Sequence, residues 1–95
     1  MMTIEELKEI MIPVFRRNDV VKAGIFGSYV TGENKNDSDI DVLVELIEGK
    51  SLLDLVGLKL ELEEITNKKV DVITYDSIYP KLREIILNEE IVIYE

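Results

Sequence analysis

Two aspartates and a Gly-Ser pair have types and spacing that suit phosphate chemistry. Asp39 and Asp41 open one apolar run, and Gly27-Ser28 closes an earlier apolar run, with Ser28 eleven positions before Asp39. Side chains two positions apart on a strand point to the same face, so both carboxylates can face one cation. A turn that follows a strand can offer backbone N–H groups to phosphate. The spacing predicts a corner that combines acids for a metal with amides for a phosphate.

The predicted topology brings a third carboxylate, Asp71, to this corner. Strands are expected at Val20–Phe26 and Asp39–Glu45, and the short loop between them makes them antiparallel neighbours. A helix then leads to a strand at Val70–Thr74, which predicts a parallel βαβ pairing and brings the starts of the last two strands together. Three clustered carboxylates repel one another unless a cation neutralises them. Hard oxygen ligands of this kind favour Mg²⁺ or Mn²⁺.

The remaining segments have the periodicity and end signals of helices that cover the sheet. A capping box starts a helix over residues 3–17, and Ser51 caps another that runs to about Ile65. The second helix is apolar over a wide face, which predicts that it packs deep against the sheet. A further helix begins near Pro80. The segment Ile91–Tyr94 is expected to be either a short edge strand or a docked tail.

Size and composition limit the fold and the chemistry. The 95 residues are enough for one small α/β (α+β) domain, 1–95, with a mixed β-sheet of three to four strands. The chain contains neither cysteine nor histidine, which excludes disulfides, thiolate or imidazole metal sites and histidine-activated nucleophiles. No apolar run approaches the roughly 20 residues that span a bilayer, and no signal-peptide pattern is present, so we expect a cytoplasmic protein.

The net charge of −9 bears on the partners of the chain. A protein that holds long nucleic acid tightly needs a positive surface, so stable binding of that kind is not expected. The charge fits a basic protein partner, and solubility alone explains it equally well.

Each candidate residue also has an ordinary structural interpretation. Asp39 suits a turn at the entry to a strand, and Gly27-Ser28 is common turn chemistry. Asp71 follows Lys68-Lys69 and could be a surface acid. Asp41 is harder to explain in this way, because an acid between two apolar strand residues is disfavoured.

Taken together, Gly27-Ser28, ten intervening residues and Asp39-Ile40-Asp41 resemble the signature of the DNA polymerase β-like nucleotidyltransferase superfamily. The chain is similar to the smallest members, the minimal nucleotidyltransferase (MNT) domains, over nearly its whole length. This resemblance implies the polymerase β-like fold. It also implies that Asp39 and Asp41 bind metal, that Asp71 is the third metal-binding and catalytic acid, and that Gly27 and Ser28 hold the nucleotide phosphates.

The resemblance further implies a reaction and a partner. Two Mg²⁺ ions would hold ATP, and the enzyme would transfer a nucleoside monophosphate to an acceptor hydroxyl and release pyrophosphate. Stand-alone MNT proteins of this size resemble the antitoxins of HEPN–MNT toxin–antitoxin pairs. Such an antitoxin transfers AMP to a tyrosine of the HEPN ribonuclease toxin and silences it, which implies a hetero-oligomer with that toxin.

One departure from the family pattern keeps two other functions open. Family members commonly carry arginine where this chain has Thr31, so a fixed positive fork for phosphate is missing, and Lys35 is a candidate substitute. Tyr29 and Tyr75 are expected to pack, with contact to a base as the alternative. The departure motivates a binding-only antitoxin as a second hypothesis. A third is nucleotidyl transfer to a small molecule or an RNA end, which the shortness of the chain disfavours.

Overall fold

The computed structural model describes residues 2–33 and 39–95, which form one four-stranded sheet with helices packed on it. Short 3₁₀ turns at Tyr75–Ser77 and Pro80–Leu82 precede the last helix. In chain order the elements are α1 (Ile4–Arg17), β1 (Val20–Phe26), α2 (Ser28–Thr31), β2 (Ile40–Leu46), α3 (Leu52–Thr66), β3 (Val70–Thr74), α4 (Arg83–Glu89) and β4 (Ile91–Tyr94).

The sheet has the strand order β3-β2-β1-β4. Strands β1 and β2 are antiparallel, and β2 and β3 are parallel, so both predicted pairings are confirmed. Strand β4 lies antiparallel to β1 at the edge of the sheet, so Ile91–Tyr94 is an edge strand and not a docked tail. The hairpin and the crossover together bring the end of β1 and the starts of β2 and β3 to one end of the sheet.

Helix α1 begins with the predicted capping box and continues through Pro13. The Thr3 backbone N–H donates to Glu6 Oε1 at 3.0 Å, and the Glu6 N–H donates to Thr3 Oγ1 at 3.1 Å. At its other end Arg17 pairs with Glu61 of α3. These contacts fix the start of α1 and hold its last turn against α3.

Helix α3 has the predicted ends but not the predicted depth of burial. The Ser51 N–H donates to Asp54 Oδ2 at 2.8 Å, and Asn67 ends the helix in the left-handed conformation with φ 55°. Leu58 and Leu62 are fully buried against the sheet. The opposite side of the helix faces outward with its apolar residues exposed, so the expectation that the whole wide apolar face packs deep was wrong.

The two faces of the sheet carry different cores. Helices α1 and α3 cover one face, where the main cluster includes Leu7, Phe15 and Ile25. The other face holds a smaller cluster of Phe26, Leu43 and Ile78, beside α4. Side chains alternate between faces along β2, and its run Val42–Val44 is buried throughout. Within residues 2–33 and 39–95 the helices are too short or too polar to cross a membrane.

Candidate active site

Asp41 and Asp71 occupy paired positions on two parallel neighbouring strands. Paired positions on adjacent strands lie about 5 Å apart and send their side chains to the same face. Phe26 pairs with Asp41 from the other side, so the turn at Gly27 follows directly beside the same carboxylate. Two of the three predicted acids and the predicted turn therefore meet at one point of the sheet.

Gly27 is required at the turn for two separate reasons. Its φ of 77° lies in the left-handed region that side chains with a Cβ seldom adopt. A Cβ at this position would also lie 2.3 Å from Asp41 Oδ2, inside van der Waals contact. The turn thus brings its backbone against the Asp41 carboxylate, closer than any other amino acid allows.

The electrostatic environment of Asp41 is strongly negative. Partial burial, followed by the charges of Asp71, Asp39 and Glu89, raises the pKa of Asp41 from 3.8 to about 6. Carboxylate oxygens in such a cluster are the donor set that hard divalent cations prefer. The residues therefore fit a Mg²⁺ or Mn²⁺ ion, whose charge would offset the repulsion.

Asp39 lies one residue before β2 and is exposed, as is Asp71. The pKa of Asp41 responds to both charges, which indicates that the three acids share one neighbourhood. In the described part of the chain, however, no three acidic side chains are oriented as ligands around a common point. Metal binding by Asp39, Asp41 and Asp71 stays a prediction.

Glu89 is a fourth acid at this corner, and the local sequence pattern gave no indication of it. Its Oε1 accepts a hydrogen bond of 3.2 Å from the Gly27 N–H, and its charge raises the pKa of Asp41. Strand β4 brings it there, because Ile91 pairs with Ile25 in antiparallel register, which places position 89 opposite position 27. Recognising β4 as a partner of β1 would have revealed this residue.

The segment after the turn forms the short helix α2, Ser28–Thr31. Tyr29 is buried in the main core, so the packing role expected for it is confirmed. Thr31, where the family resemblance leads us to expect arginine, is exposed, and its hydroxyl donates to Glu33 Oε1 at 2.9 Å. Lys35, the candidate substitute for that arginine, lies outside the described residues.

Tyr75 belongs to a separate polar cluster on the same face of the sheet. Its hydroxyl donates to Glu90, and Lys22 Nζ lies 5.2 Å from the centre of its ring. Burial and the Glu90 carboxylate raise the pKa of Tyr75 well above its ordinary value. The Glu90 carboxylate also occupies the space above Gly24, where a Cβ would lie 2.1 Å from it. Tyr75 therefore has a packing and hydrogen-bonding role.

A groove of about 640 Å³ opens at the opposite end of the sheet from the acids. The ends of β2 and β3 line it, together with the loop before α3 and the turn at Tyr75–Ser77. Asp39, Asp41 and Asp71 all lie at the other end of these strands, so the groove is not part of the candidate site.

Solved structures share this fold. A structure described as a "putative minimal nucleotidyltransferase" superposes with a TM-score of 0.80 at 39% identity, over 95% of each chain. A chain from the complex of tri-AMPylated Shewanella oneidensis HEPN toxin with its MNT antitoxin superposes with a TM-score of 0.73 at 18% identity. That match covers 95% of this chain and 71% of the other, and it shows a common fold.

Curated relatives match almost the entire sequence. A Methanocaldococcus jannaschii protein named "Putative protein adenylyltransferase MJ0435" is 57% identical over 90 residues, which cover 95% of this chain and 97% of the relative. The protein adenylyltransferase MntA of Thermococcus cleftensis is 37% identical over 93 residues, or 94% of each chain.

The family comparison agrees with these matches. The model described as polymerase beta, nucleotidyltransferase, matches residues 8–95, which include most of α1 and every later element to β4. With the mixed sheet, the Gly-Ser turn and the paired acids in place, this chain belongs to the polymerase beta nucleotidyltransferase family.

Proposed function

We propose that this protein is a Mg²⁺-dependent protein adenylyltransferase that acts as an antitoxin. It transfers AMP from ATP to a tyrosine of a HEPN ribonuclease toxin and so inactivates the toxin. The observation that carries the proposal is the pairing of Asp41 with Asp71 beside the Gly27 turn. The names of the relatives support protein adenylylation, and the fold shared with an MNT antitoxin supports the partner.

The proposed roles follow from position and charge. Asp39 and Asp41 hold Mg²⁺, which when bound stabilises negative charge on the triphosphate. The backbone N–H groups of the Gly27-Ser28 turn orient the phosphates. Asp71, across from Asp41 on β3, faces the acceptor hydroxyl and takes up its proton.

In the proposed reaction the tyrosine oxygen attacks the α-phosphorus of ATP. A phosphorus–oxygen bond forms to the tyrosine while the bond between the α-phosphorus and the bridging oxygen breaks, and pyrophosphate leaves. The proton of the hydroxyl passes to Asp71. The protein contributes mainly by positioning and by electrostatics, which explains how a chain of 95 residues can suffice.

Transfer of labelled AMP tests this function directly. The chain, its HEPN-type partner, Mg²⁺ and ATP labelled in the α-phosphate should yield labelled partner protein. The Asp39→Asn/Asp41→Asn double variant should abolish labelling, and Asp71→Asn should slow it by about 10²- to 10⁴-fold. Asp76→Asn is the matched control, because Asp76 is an exposed acid at the far end of β3. An unlabelled partner with the wild-type chain rejects the proposal.

A binding-only antitoxin is the second candidate, favoured by Thr31. An exposed threonine that donates to Glu33 adds no positive charge near the turn, where arginine would strengthen phosphate binding. Under this function Asp39→Ala/Asp41→Ala would still protect cells that express the toxin. Loss of protection in that variant would exclude it and would favour catalysis.

A further inference from the structure

The Gly27 N–H at the candidate active site already has an acceptor, the carboxylate of Glu89. Glu89 Oε1 accepts this hydrogen bond at 3.2 Å. A backbone N–H has one hydrogen to donate, so it cannot serve both Glu89 and a nucleotide phosphate. Two anions at one position also repel each other. A triphosphate that binds the Gly27 turn must therefore displace the Glu89 carboxylate, and the contacts that hold Glu89 there oppose nucleotide binding.

Apolar packing does little to fix the position of Glu89, which is the last residue of α4. In the part of the chain that the structure describes, no side chain of α4 is buried, and Ile86 is half-buried against the smaller cluster. Strand β4, which follows, has four residues and lies at the edge of the sheet. Segments with few buried apolar contacts open most easily. The position of Glu89 therefore depends on the polar contacts at the ends of α4.

Tyr75 supplies a polar contact at each end of α4. Its carbonyl oxygen accepts a hydrogen bond of 2.9 Å from Nη1 of Arg83, the first residue of the helix. Its hydroxyl donates to Glu90, the residue directly after the helix. Tyr75 itself directly follows β3 and is half-buried. One residue thus ties both ends of α4 to the sheet.

Gly24 on β1 provides the space in which the Glu90 carboxylate lies. The three atoms nearest to a Cβ at position 24 all belong to the Glu90 side chain, and the φ of Gly24 is not in the left-handed region. The Glu90 side chain, and not backbone conformation, therefore explains a glycine here. Because Glu90 directly follows Glu89, a carboxylate fixed between Tyr75 and Gly24 also fixes the backbone that carries Glu89.

We propose that Tyr75 is a positioning residue that acts through Glu90. It holds the Glu89 carboxylate on the Gly27 N–H and so lowers the affinity of the turn for nucleotide. The inference rests on the proposed function for the identity of the ligand. It predicts that loss of the Tyr75 hydroxyl strengthens nucleotide binding, although a hydrogen bond is removed. A purely structural role predicts the opposite sign, because damage to the fold would weaken binding.

Titration with Mg²⁺ and the non-hydrolysable ATP analogue AMP-PNP tests this sign. In Tyr75→Phe the Kd should fall by roughly 2- to 5-fold, because the Glu89 charge is no longer fixed at the turn. Gly24→Ala should have the same effect by a different route, since its methyl group takes the space of the Glu90 carboxylate. Tyr79→Phe is the matched control. Tyr79 is 57% exposed, and loss of its hydroxyl should leave the Kd unchanged.

The Tyr75→Phe/Glu89→Gln double variant shows whether Tyr75 acts through Glu89. Once the charge at position 89 is gone, the Tyr75 hydroxyl has no charge to position. The double variant should therefore bind AMP-PNP as Glu89→Gln alone does. A Kd that falls by the product of the two single factors would overturn the proposal. An unchanged or raised Kd in Tyr75→Phe would overturn it as well.

Hydrogen exchange of the Gly27 amide, measured by NMR without nucleotide, tests the position of Glu89 independently of the proposed function. Release of Glu90 lets Glu89 leave the Gly27 N–H, so this amide should exchange about 10-fold faster or more in Tyr75→Phe. The amides of α1, which covers the other face of the sheet, should exchange at the wild-type rate. Wild-type exchange at Gly27 in Tyr75→Phe would contradict the proposal.

The two measurements together separate this inference from the proposed function. If exchange at Gly27 rises in Tyr75→Phe but AMP-PNP binds neither the wild type nor Glu89→Gln, Tyr75 positions Glu89 and the proposed function fails. If AMP is transferred and AMP-PNP binds with a Kd that Tyr75→Phe leaves unchanged, this inference fails and the proposed function stands.

Discussion

Asp41 is half-buried beside Asp71 and Glu89, and ionisation of its carboxyl group lowers the stability of the fold. Its pKa is raised to about 6, so at neutral pH the folded protein holds a charge that the unfolded chain would carry at lower cost. Asp41→Asn removes this repulsion without changing the shape of the side chain. We expect the free energy of unfolding to rise by about 1–2 kcal/mol at pH 7, after allowance for solvent screening.

Thermal unfolding in metal-free buffer measures this change. The difference between Asp41→Asn and wild type should be fully present above pH 6. It should shrink as the pH falls through 6 towards 4, because protonation then removes the same charge from the wild-type protein. A less stable Asp41→Asn variant at pH 7 would contradict the electrostatic account.

Glu89 places a negative charge on the turn proposed for phosphate. Its carboxylate accepts the Gly27 N–H at 3.2 Å and repels a triphosphate at that position. Glu89→Gln keeps an acceptor there but removes the charge, so the Kd for a non-hydrolysable ATP analogue with Mg²⁺ should fall by roughly 2- to 5-fold.

Calorimetric titration with the analogue checks the Glu89 prediction, and Glu84→Gln provides the control. Glu84 lies on the same helix but is exposed, and its substitution should leave the Kd unchanged. Weaker binding in Glu89→Gln would show instead that this carboxylate helps to hold the metal.

At the scale of elements, a single glycine makes helix α3 less stable than the same helix with alanine at that position. Gly57 lies in the helix interior with open space around it. Gly57→Ala should raise the free energy of unfolding by about 1 kcal/mol, or roughly 4–8 °C in melting temperature for a chain of this size. Gly49→Ala also meets open space but has φ 97°, so it should destabilise. Equal effects of the two variants on the melting temperature would contradict this explanation.

The elements themselves were largely predictable, because their signals are local. Capping boxes, hairpins and βαβ crossovers are indicated by residues close together in the sequence. The β2–β3 crossover brings Asp41 and Asp71 together, and the β1–β2 hairpin adds the Gly27 turn. The pairing of the edge strand β4 with β1 and the exposure of the outer face of α3 were not predictable in the same way. Both depend on long-range pairing or on what covers a surface, and Glu89 was missed because it depends on β4.

At the scale of the molecule, a net charge of −9 acts on a body of 35 × 31 × 20 Å. Salt should raise the melting temperature by screening this self-repulsion. If Asp39, Asp41 and Asp71 bind Mg²⁺, then MgCl₂ should raise it further than NaCl at the same ionic strength. The excess should vanish in Asp39→Asn/Asp41→Asn. An equal response to both salts in the wild type would speak against the metal site.

The close contact between Gly27 and Asp41 has an evolutionary consequence. The Asp41 carboxylate lowers the stability of the fold, and its position excludes any residue other than glycine at position 27. Without selection for function, mutation would therefore tend to replace Asp41. Replacement of Asp41 would remove both effects in one step, and in a protein that only binds its partner nothing would select against that step. The presence of both residues in this chain is the outcome expected if the proposed nucleotide transfer is under selection.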